Sequence, residues 1–234
     1  MKAMILAAGR GERMRPLTDT LPKPLLSVGG KPLIVWHNEN LVRAGFTQII
    51  INHAHLGHLI EGALGDGSQF GARIHYSPEP EALETAGGIA QALPLLGKNP
   101  FLVVNGDIYI DYDFSRAREI AMAMRANPEL FAAYLVLADN PLHHTQGDFA
   151  LAHSKVTLSG TPMLTFTGVG VYQPDVFRDI VAGSKVPLAP LLKTLIAYDL
   201  VRGEHHRATW VDVGTPQRLA TLDRMLTRSV ADPT

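Results

Sequence analysis

The residues whose types and spacing best suit chemistry lie near the N-terminus, where a glycine-rich turn is followed by cationic side chains. Gly9 and Gly11 come just after an apolar run that ends at Leu6, and Arg13 and Lys23 follow them. Glycine allows the main chain to approach a ligand closely. Backbone N–H groups at the end of a strand bind anions. The segment therefore predicts an anion site, and a polyphosphate would suit it.

This turn differs from two common phosphate-binding patterns. Met14 occupies the third glycine position of the dinucleotide fingerprint, and no Gly-Lys-Ser/Thr follows at the spacing of a Walker loop. Pro16, Pro22 and Pro24 stiffen the segment that carries the cations. A solvated basic loop is the alternative interpretation, but the rigid backbone favours a preorganised anion clamp.

Two aspartates follow strand-like runs. Asp107 ends the sequence Asn105-Gly106-Asp107 after an apolar run, and Asp212 precedes Gly214 near the C-terminus. Ligands of parallel sheets bind beyond the carboxyl ends of strands, and Mg²⁺ prefers oxygen ligands. A turn or a helix cap would explain each aspartate alone. Together they predict a Mg²⁺-nucleotide site whose protein ligands are Asp107 and Asp212.

A second loop of small residues spans 84–88. Its glycines would let a flat nucleobase lie against the backbone, so we expect Glu84 and Gly88 to contact the nucleotide. The alternative is an ordinary helix N-terminus with Thr85 as its cap. Both interpretations are compatible with each other.

Composition excludes several classes of protein. The chain has 234 residues, a formal net charge of −1 and no cysteine, which excludes disulfides and thiolate metal sites. The chain lacks the long basic run that is typical of nucleic-acid-binding proteins. The spacing of its histidines does not match a zinc site. It also lacks the Gly-x-Ser-x-Gly nucleophile elbow of serine hydrolases. Neither a secretory leader nor a membrane span is evident, so we expect a cytoplasmic protein.

Strand-like and helix-like segments alternate along most of the chain. This alternation predicts an α/β fold, a Rossmann-like three-layer structure with a mixed, mainly parallel sheet. The segments within 149–172 are predicted to pair antiparallel. Helices are expected at 175–181 and 189–200, a last strand at 206–213, and a terminal helix from Pro216 to about Thr227.

The sequence resembles the sugar-1-phosphate nucleotidyltransferase family. The resemblance rests on Leu-Ala-Ala-Gly-x-Gly-x-Arg from Leu6, on Pro22-Lys23-Pro24, and on the two aspartate segments in the same order. It implies the fold of nucleotide-diphospho-sugar transferases, a Mg²⁺ requirement, and one domain over 1–234. The nucleotide-binding part would cover about 1–112 and the sugar-binding part about 113–228.

Within that family, the likeness is greatest to members that transfer a uridylyl group from UTP to N-acetylmuramate α-1-phosphate in peptidoglycan recycling. His143-His144 and Gly147-Asp148-Phe149 are among the residues that carry it. The partners implied are UTP and a sugar 1-phosphate, with no nucleic acid and no membrane; oligomeric state is not predicted. Alternatives are a mannose-1-phosphate guanylyltransferase, a glucose-1-phosphate uridylyl- or thymidylyltransferase, and a non-catalytic nucleotide sensor.

The resemblance also implies roles for individual residues. Arg13, Lys23 and Asp107 would be catalytic. The nucleotide would be bound by Ala8, Gly9, Gly11, Glu12, Arg13, Lys23, Glu84, Gly88 and Asn105. The sugar phosphate would be bound by Asn105, Asp148, Gly168 and Lys185.

The chain departs from the family at one segment. Many members use the lysine of a Glu-Lys-Pro segment to hold the sugar phosphate, and no such segment occurs here. Lys185, Arg202 and Arg207 are candidates for the missing charge. A carboxylate on the sugar would also need a donor, for which Arg207 or a histidine of the pair His205-His206 is a candidate.

Overall fold

The computed structural model describes residues 1–231, and strands and helices alternate along them. The strands are β1 (Ala3–Leu6), β2 (Ser27–Val28), β3 (Lys31–Pro32), β4 (Gln48–His53), β5 (Arg73–Pro78), β6 (Phe101–Asn105), β7 (Ile108–Ile110), β8 (Ala133–Ala138), β9 (Phe149–Ala152), β10 (Lys155–Thr157), β11 (Met163–Tyr172), β12 (Val201–His206) and β13 (Trp210–Asp212). The helices are α1 (Leu33–Arg43), α2 (Gly57–Leu64), α3 (Glu84–Leu96), α4 (Arg116–Ala126), α5 (Leu188–Ala197) and α6 (Pro216–Ala231). The α/β class predicted from the sequence is confirmed.

Nine of the strands form one mixed sheet in the order β5-β4-β1-β6-β11-β8-β12-β10-β9. The pairs β5/β4, β4/β1, β1/β6 and β8/β12 are parallel, whereas β11 and β10 pair antiparallel with their neighbours. All strands of this sheet except β10 and β11 therefore point the same way. The mainly parallel orientation and the antiparallel pairing within 149–172 are confirmed.

Both faces of the sheet are covered by helices. In β1, Ala3 and Ile5 pack with α1, α2 and α4, while Met4 packs on the opposite face with α3 and α5. All three side chains are fully buried, because successive side chains of a strand point to opposite faces. This is the predicted three-layer arrangement, with β1 at its centre.

Two predicted elements near the C-terminus were wrong. The helix expected at 175–181 is only a 3₁₀ turn, Pro174–Phe177. Phe177 is buried and Ile180 packs against the core, but Val181 is 73% exposed. The apolar stripe therefore ends at Ile180 and is too short to hold a longer helix against the sheet.

The strand expected at 206–213 is two strands in two sheets. β12 pairs with β8 in the large sheet, and β13 pairs antiparallel with the short strand β7. The terminal helix α6 extends a little beyond the predicted end. No helix within residues 1–231 has both the length and the apolar character needed to cross a bilayer.

Candidate active site

The loop after β1 depends on a glycine with a left-handed backbone. Gly11 has φ 68°, and its carbonyl accepts hydrogen bonds from Met14 N and Thr18 Oγ1, both at 2.9 Å. A Cβ at Gly11 would lie 3.1 Å from Thr18 Cγ2 and 3.3 Å from Lys23 Cβ. A Cβ at Gly9 would meet no atom within 4 Å. Gly11 therefore shapes the loop, and Gly9 leaves space beside it.

The arginines of this loop have different partners. Arg10 donates to Thr18 O at 2.6 Å and to Asp19 Oδ1 at 2.8 Å, and Arg15 pairs with Asp19 at 2.9 Å. The hydrogen bond from Arg10 and the charges of both arginines lower the pKa of Asp19. Arg13 makes no hydrogen bond or ion pair within residues 1–231. It is the arginine of the loop left available to a ligand.

A cleft of about 430 Å³ opens beside this loop, and we call it the first cleft. Every residue predicted to bind nucleotide lines it except Gly88. Those residues are Ala8, Gly9, Gly11, Glu12, Arg13, Lys23, Glu84 and Asn105. The structure thus brings residues from three separate segments of the chain to one cavity.

A buried polar network forms the wall behind the first cleft. Asn52 accepts from Ala7 N at 2.9 Å and donates to Glu79 Oε1 at 2.7 Å, and Glu79 Oε2 accepts from Leu83 N at 2.9 Å. Burial raises the pKa of Glu79. Gly88 lies behind the wall, since a Cβ there would be 2.7 Å from both Asn52 Nδ2 and Glu79 Oε1. The network was not identified from the sequence, where its signal was a glutamate flanked by prolines just after β5.

Glu84 adopts an unusual backbone at the start of α3. Its φ is 62°, a conformation that is strained for a residue with a side chain and that clusters at ligand sites. Leu83 is the N-cap residue, and no side chain caps this helix. The interpretation of Thr85 as a helix cap was therefore wrong; Thr85 lines the first cleft instead.

Lys23 and Asp107 form an ion pair across the floor of the first cleft. Lys23 Nζ lies 2.6 Å from Asp107 Oδ2, and the lysine side chain is only 7% exposed. The next residue, Ile108, is held by His37, whose Nε2 donates to Ile108 O at 2.8 Å. Burial lowers the pKa of His37 to about 4, so the imidazole is neutral at pH 7.

A second cleft, of about 390 Å³, adjoins the first and shares Arg13, Asn105 and Asp107 with it. Asp212 lines this second cleft. Asp212 lies in the second cleft because β13 pairs with β7, which places Asp212 opposite Ile108. Val213 N also donates to Asp107 O at 3.1 Å. The two aspartates predicted from distant segments therefore line one cavity.

Arg218 is a residue of this region that the sequence analysis missed. Its Nη1 donates to Asp212 Oδ2 at 2.8 Å and to His143 Nε2. A Cβ at Gly214 would lie 2.1 Å from Arg218 Nη2 and 3.0 Å from Arg13 Nη2, so this glycine lets both guanidinium groups approach. A cation in the first turn of a helix that follows a strand-end aspartate was the available signal.

The carboxylates fit a magnesium ion. Residues 1–231 contain no cluster of three or more histidine, aspartate or glutamate side chains placed to bind a metal. Asp107 and Asp212 nevertheless line the same cleft, each now paired with a cationic side chain. Mg²⁺ is often held by one or two carboxylates, with waters and substrate phosphates completing its shell. Two aspartates that line a cleft of about 390 Å³ suit that pattern.

The residues predicted to bind the sugar phosphate are not all together. Asp148 lines the second cleft, and its oxygens accept from His144 Nε2 at 3.0 Å and Phe166 N at 2.8 Å. Gly168, at φ 86°, lies against Asn105, because a Cβ there would be 2.5 Å from Asn105 Nδ2.

Lys185 lies outside both clefts and pairs with Glu81 at 2.5 Å. Arg202 pairs with Asp199 at 2.9 Å and also lines neither cleft. Arg207 lines neither of them. All three cations therefore lie outside the two clefts, and their candidacy for the missing charge stays a prediction.

The chain is similar in sequence to known proteins. A family model described as nucleotidyl transferase matches residues 2–143. An N-acetylmuramate alpha-1-phosphate uridylyltransferase of Neisseria meningitidis serogroup B is 57% identical over 94% of this chain and 95% of its own. A Caulobacter vibrioides protein of the same name is 36% identical over 92% of each chain.

Solved structures agree on the fold. A Bacillus anthracis protein assigned as a glucose-1-phosphate thymidylyltransferase superposes with a TM-score of 0.83. The match covers 97% of this chain and 95% of the other at 22% identity, and it supports the fold alone.

Proposed function

This chain belongs to the nucleotidyl transferase family and is an enzyme of that class, and from that premise we propose that its substrates are UTP and N-acetylmuramate α-1-phosphate. The products would be UDP-N-acetylmuramate and pyrophosphate. The relative named for this reaction aligns with nearly the whole of both chains at 57% identity. A role in peptidoglycan recycling in the cytoplasm, where UTP is found, follows from that reaction.

The observation that carries the proposal is the pair of adjoining clefts that share Arg13, Asn105 and Asp107. A transfer between two anions needs two pockets that meet where charge is neutralised. We assign UTP to the first cleft and the sugar phosphate to the second. The nucleotide-binding part would be about 1–112 and the sugar-binding part about 113–228. The pairing of β13, from the second part, with β7, from the first, would connect them.

The reaction requires no protein nucleophile. An oxygen of the sugar phosphate is already anionic and attacks the α-phosphorus of UTP; a new P–O bond forms as the bond to the β-phosphate breaks, and pyrophosphate leaves. The protein must hold the two anions in line and stabilise the charge that develops. Backbone amides of the loop after β1, with Ala8, Gly9 and Gly11, would hold the nucleotide.

The cations of the two clefts have separate tasks in this scheme. Arg13, which has no protein partner among residues 1–231, would neutralise the leaving pyrophosphate. Lys23 would exchange part of its contact with Asp107 for the α-phosphate and the incoming phosphate. Nucleotidyl transfer generally uses a divalent metal ion; we propose Mg²⁺ held by Asp107 and Asp212, supplying charge neutralisation and a template for the phosphates.

The remaining predicted residues have narrower roles. Glu12, Glu84 and Asn105 line the first cleft and are proposed nucleotide contacts, while Asn105 and Asp148 are proposed contacts of the sugar. Roles for Gly88, Gly168 and Lys185 in ligand contact stay predictions. The backbone of Gly88 packs against Asn52, and the backbone of Gly168 packs against Asn105. Each glycine thus leaves room for an asparagine side chain of the site.

The test is pyrophosphate release over a grid of substrates with Mg²⁺ present. UTP, dTTP and GTP are each combined with the 1-phosphates of N-acetylmuramate, N-acetylglucosamine, glucose and mannose. We expect the highest kcat/KM for UTP with N-acetylmuramate α-1-phosphate. A preference for GTP with mannose 1-phosphate, or for a glucose 1-phosphate, would replace this substrate assignment. Absence of turnover with every pair would favour a nucleotide sensor.

A further inference from the structure

The second cleft has few groups that donate hydrogen bonds and are free to meet a substrate. Three aspartates line it, Asp107, Asp148 and Asp212. Trp210 Nε1 is engaged, donating to Thr167 O at 3.0 Å. A substrate that carries a carboxylate in addition to its phosphate would be repelled by such a lining unless specific donors faced it.

The residues suggested by the sequence for that carboxylate lie elsewhere. His205 Nε2 is 2.9 Å from Asp139 Oδ1, and His206 faces Thr209 O. Neither histidine lines the second cleft, nor does Arg207. Arg13 and Asn105 also line the second cleft, but the proposed function assigns them to phosphate and to the nucleotide and sugar. A donor for the carboxylate is therefore sought in another segment.

His143 and His144 are the imidazoles that line the second cleft. An arginine can only donate, so Arg218 Nη1 donates to His143 Nε2, and the proton of the neutral ring lies on Nδ1. His144 Nε2 donates to Asp148 Oδ1 at 3.0 Å. Each ring is thus oriented by one nitrogen, which leaves Nδ1 for a ligand.

The loop that carries the two histidines is held in place by Asn140. Its Nδ2 donates to Thr145 O at 3.1 Å and to Met163 O at 3.0 Å, and its Oδ1 accepts from Thr165 Oγ1 at 2.8 Å. The same amide therefore ties both ends of the turn to β11. Such preorganisation reduces the entropy lost when a ligand binds.

We propose that His143 and His144 recognise the lactyl carboxylate of the sugar acid and so select it over the sugar without that group. The inference rests on the proposed function. The two histidines would then determine sugar specificity. The lactyl carboxylate would accept hydrogen bonds from the imidazoles, while the phosphate of the same substrate would lie at Arg13 and Lys23. Charge-assisted hydrogen bonds of this kind give large discrimination against a substrate that lacks the partner group.

The test compares kcat/KM with UTP for N-acetylmuramate α-1-phosphate and N-acetylglucosamine α-1-phosphate, which differ by the lactyl group. His144→Leu and His143→Leu remove the donors. His144→Asn keeps an N–H near the position of Nδ1. His58→Gln, at an exposed position of α2, is the matched control.

We expect the ratio of the two kcat/KM values to fall ~10- to 100-fold in each Leu variant, through KM for the sugar acid. The ratio is expected to recover in part in His144→Asn and to stay unchanged in His58→Gln. Equal losses on both sugars in His144→Leu, or an unchanged ratio in both Leu variants, would overturn this inference alone. A wild-type enzyme that uses other sugar phosphates but not the sugar acid would overturn the proposed function as well.

Discussion

At the scale of single residues, the cationic side chains of the loop after β1 differ in whether they form an ion pair within the protein. Arg10 and Arg15 are both held by Asp19, so they support the loop. Arg13 has no such partner within residues 1–231, and Lys23 is paired with an aspartate that itself faces both clefts. Ligand binding would therefore reorganise Lys23 and Asp107, whereas Arg10 and Arg15 would keep their contacts.

We predict that Lys23→Ala and Asp107→Ala each lower kcat/KM by at least ~100-fold, because removal of one preorganised charge at a phosphoryl-transfer site commonly costs 10²–10³ in rate. Both variants should remain folded, as checked by circular dichroism. Lys98→Ala, at an exposed position that lines neither cleft, serves as the control. Near-normal rates in either site variant would contradict the assigned roles.

Two glycines of the same loop should respond differently to alanine. Gly9→Ala adds a methyl group that meets no protein atom within 4 Å, so the free energy of unfolding should change by less than ~0.5 kcal/mol. The methyl group would occupy ligand space, and overpacking of ~1–3 kcal/mol would raise the KM for UTP on the order of tenfold or more.

Gly11→Ala should instead destabilise the fold by ~1–2 kcal/mol, because its positive φ is strained for alanine. Urea denaturation and steady-state kinetics on both variants separate the two effects. Equal losses of stability at the two positions would contradict this division of roles.

At the scale of elements, the site is built at the ends of strands and braced from behind. Asn52 at the end of β4 and Glu79 just after β5 connect the loop after β1 to the segment before α3. Both side chains are nearly inaccessible to water, so the hydrogen bond between them is strengthened by its surroundings. The bracing fixes two walls of the first cleft relative to each other.

Removal of this brace should cost stability. Glu79→Ala leaves Asn52 Nδ2 and Leu83 N buried without an acceptor, at ~1–3 kcal/mol each, so we predict a loss of about 2–4 kcal/mol in the free energy of unfolding. Glu79→Gln keeps one acceptor oxygen and should lose less. Urea denaturation checks the order, with Glu119→Ala on the exposed side of α4 as control. A Glu79→Ala protein as stable as that control would argue against the brace.

Elements with a local signal were predictable from the sequence, and elements defined by a distant partner were not. The apolar runs of β1, β4 and β6 and the glycine turn after β1 reveal themselves in a few consecutive residues. The three-residue strands β7 and β13 exist because each supplies the hydrogen bonds of the other. The contact of Arg218 with His143 likewise joins segments that only the folded chain brings together.

At the scale of the whole molecule, stability and the site are linked through α1. His37 is buried in this helix and donates to the backbone at Ile108, beside the Asp107 carboxylate. Because the pKa of His37 is lower in the folded protein, between pH 6.5 and about 4 the imidazole binds a proton more readily in the unfolded chain than in the folded one. The fold therefore depends on pH at a point next to its proposed metal ligand.

We predict that acid weakens the wild-type fold partly through His37. The contribution is complete above the unfolded pKa of 6.5 and is lost as pH falls toward about 4, with an upper limit of about 3 kcal/mol. His37→Gln can still donate to Ile108 O but does not titrate, so its unfolding free energy should fall less over this range. Urea denaturation at steps from pH 7 to pH 4 measures the difference, with His58→Gln as control. Parallel pH dependences for wild type and His37→Gln would refute the prediction.

The position of β11 in the large sheet has a consequence for how the chain is made. β11 lies between β6 and β8 although it follows both in sequence. During synthesis, β6 therefore has an open edge until residues 163–172 emerge, and open strand edges invite pairing with other chains. We expect the nascent N-terminal half to depend on rapid completion of the later segments. A gene cut between the two proposed parts would yield a fragment with the same exposed edge.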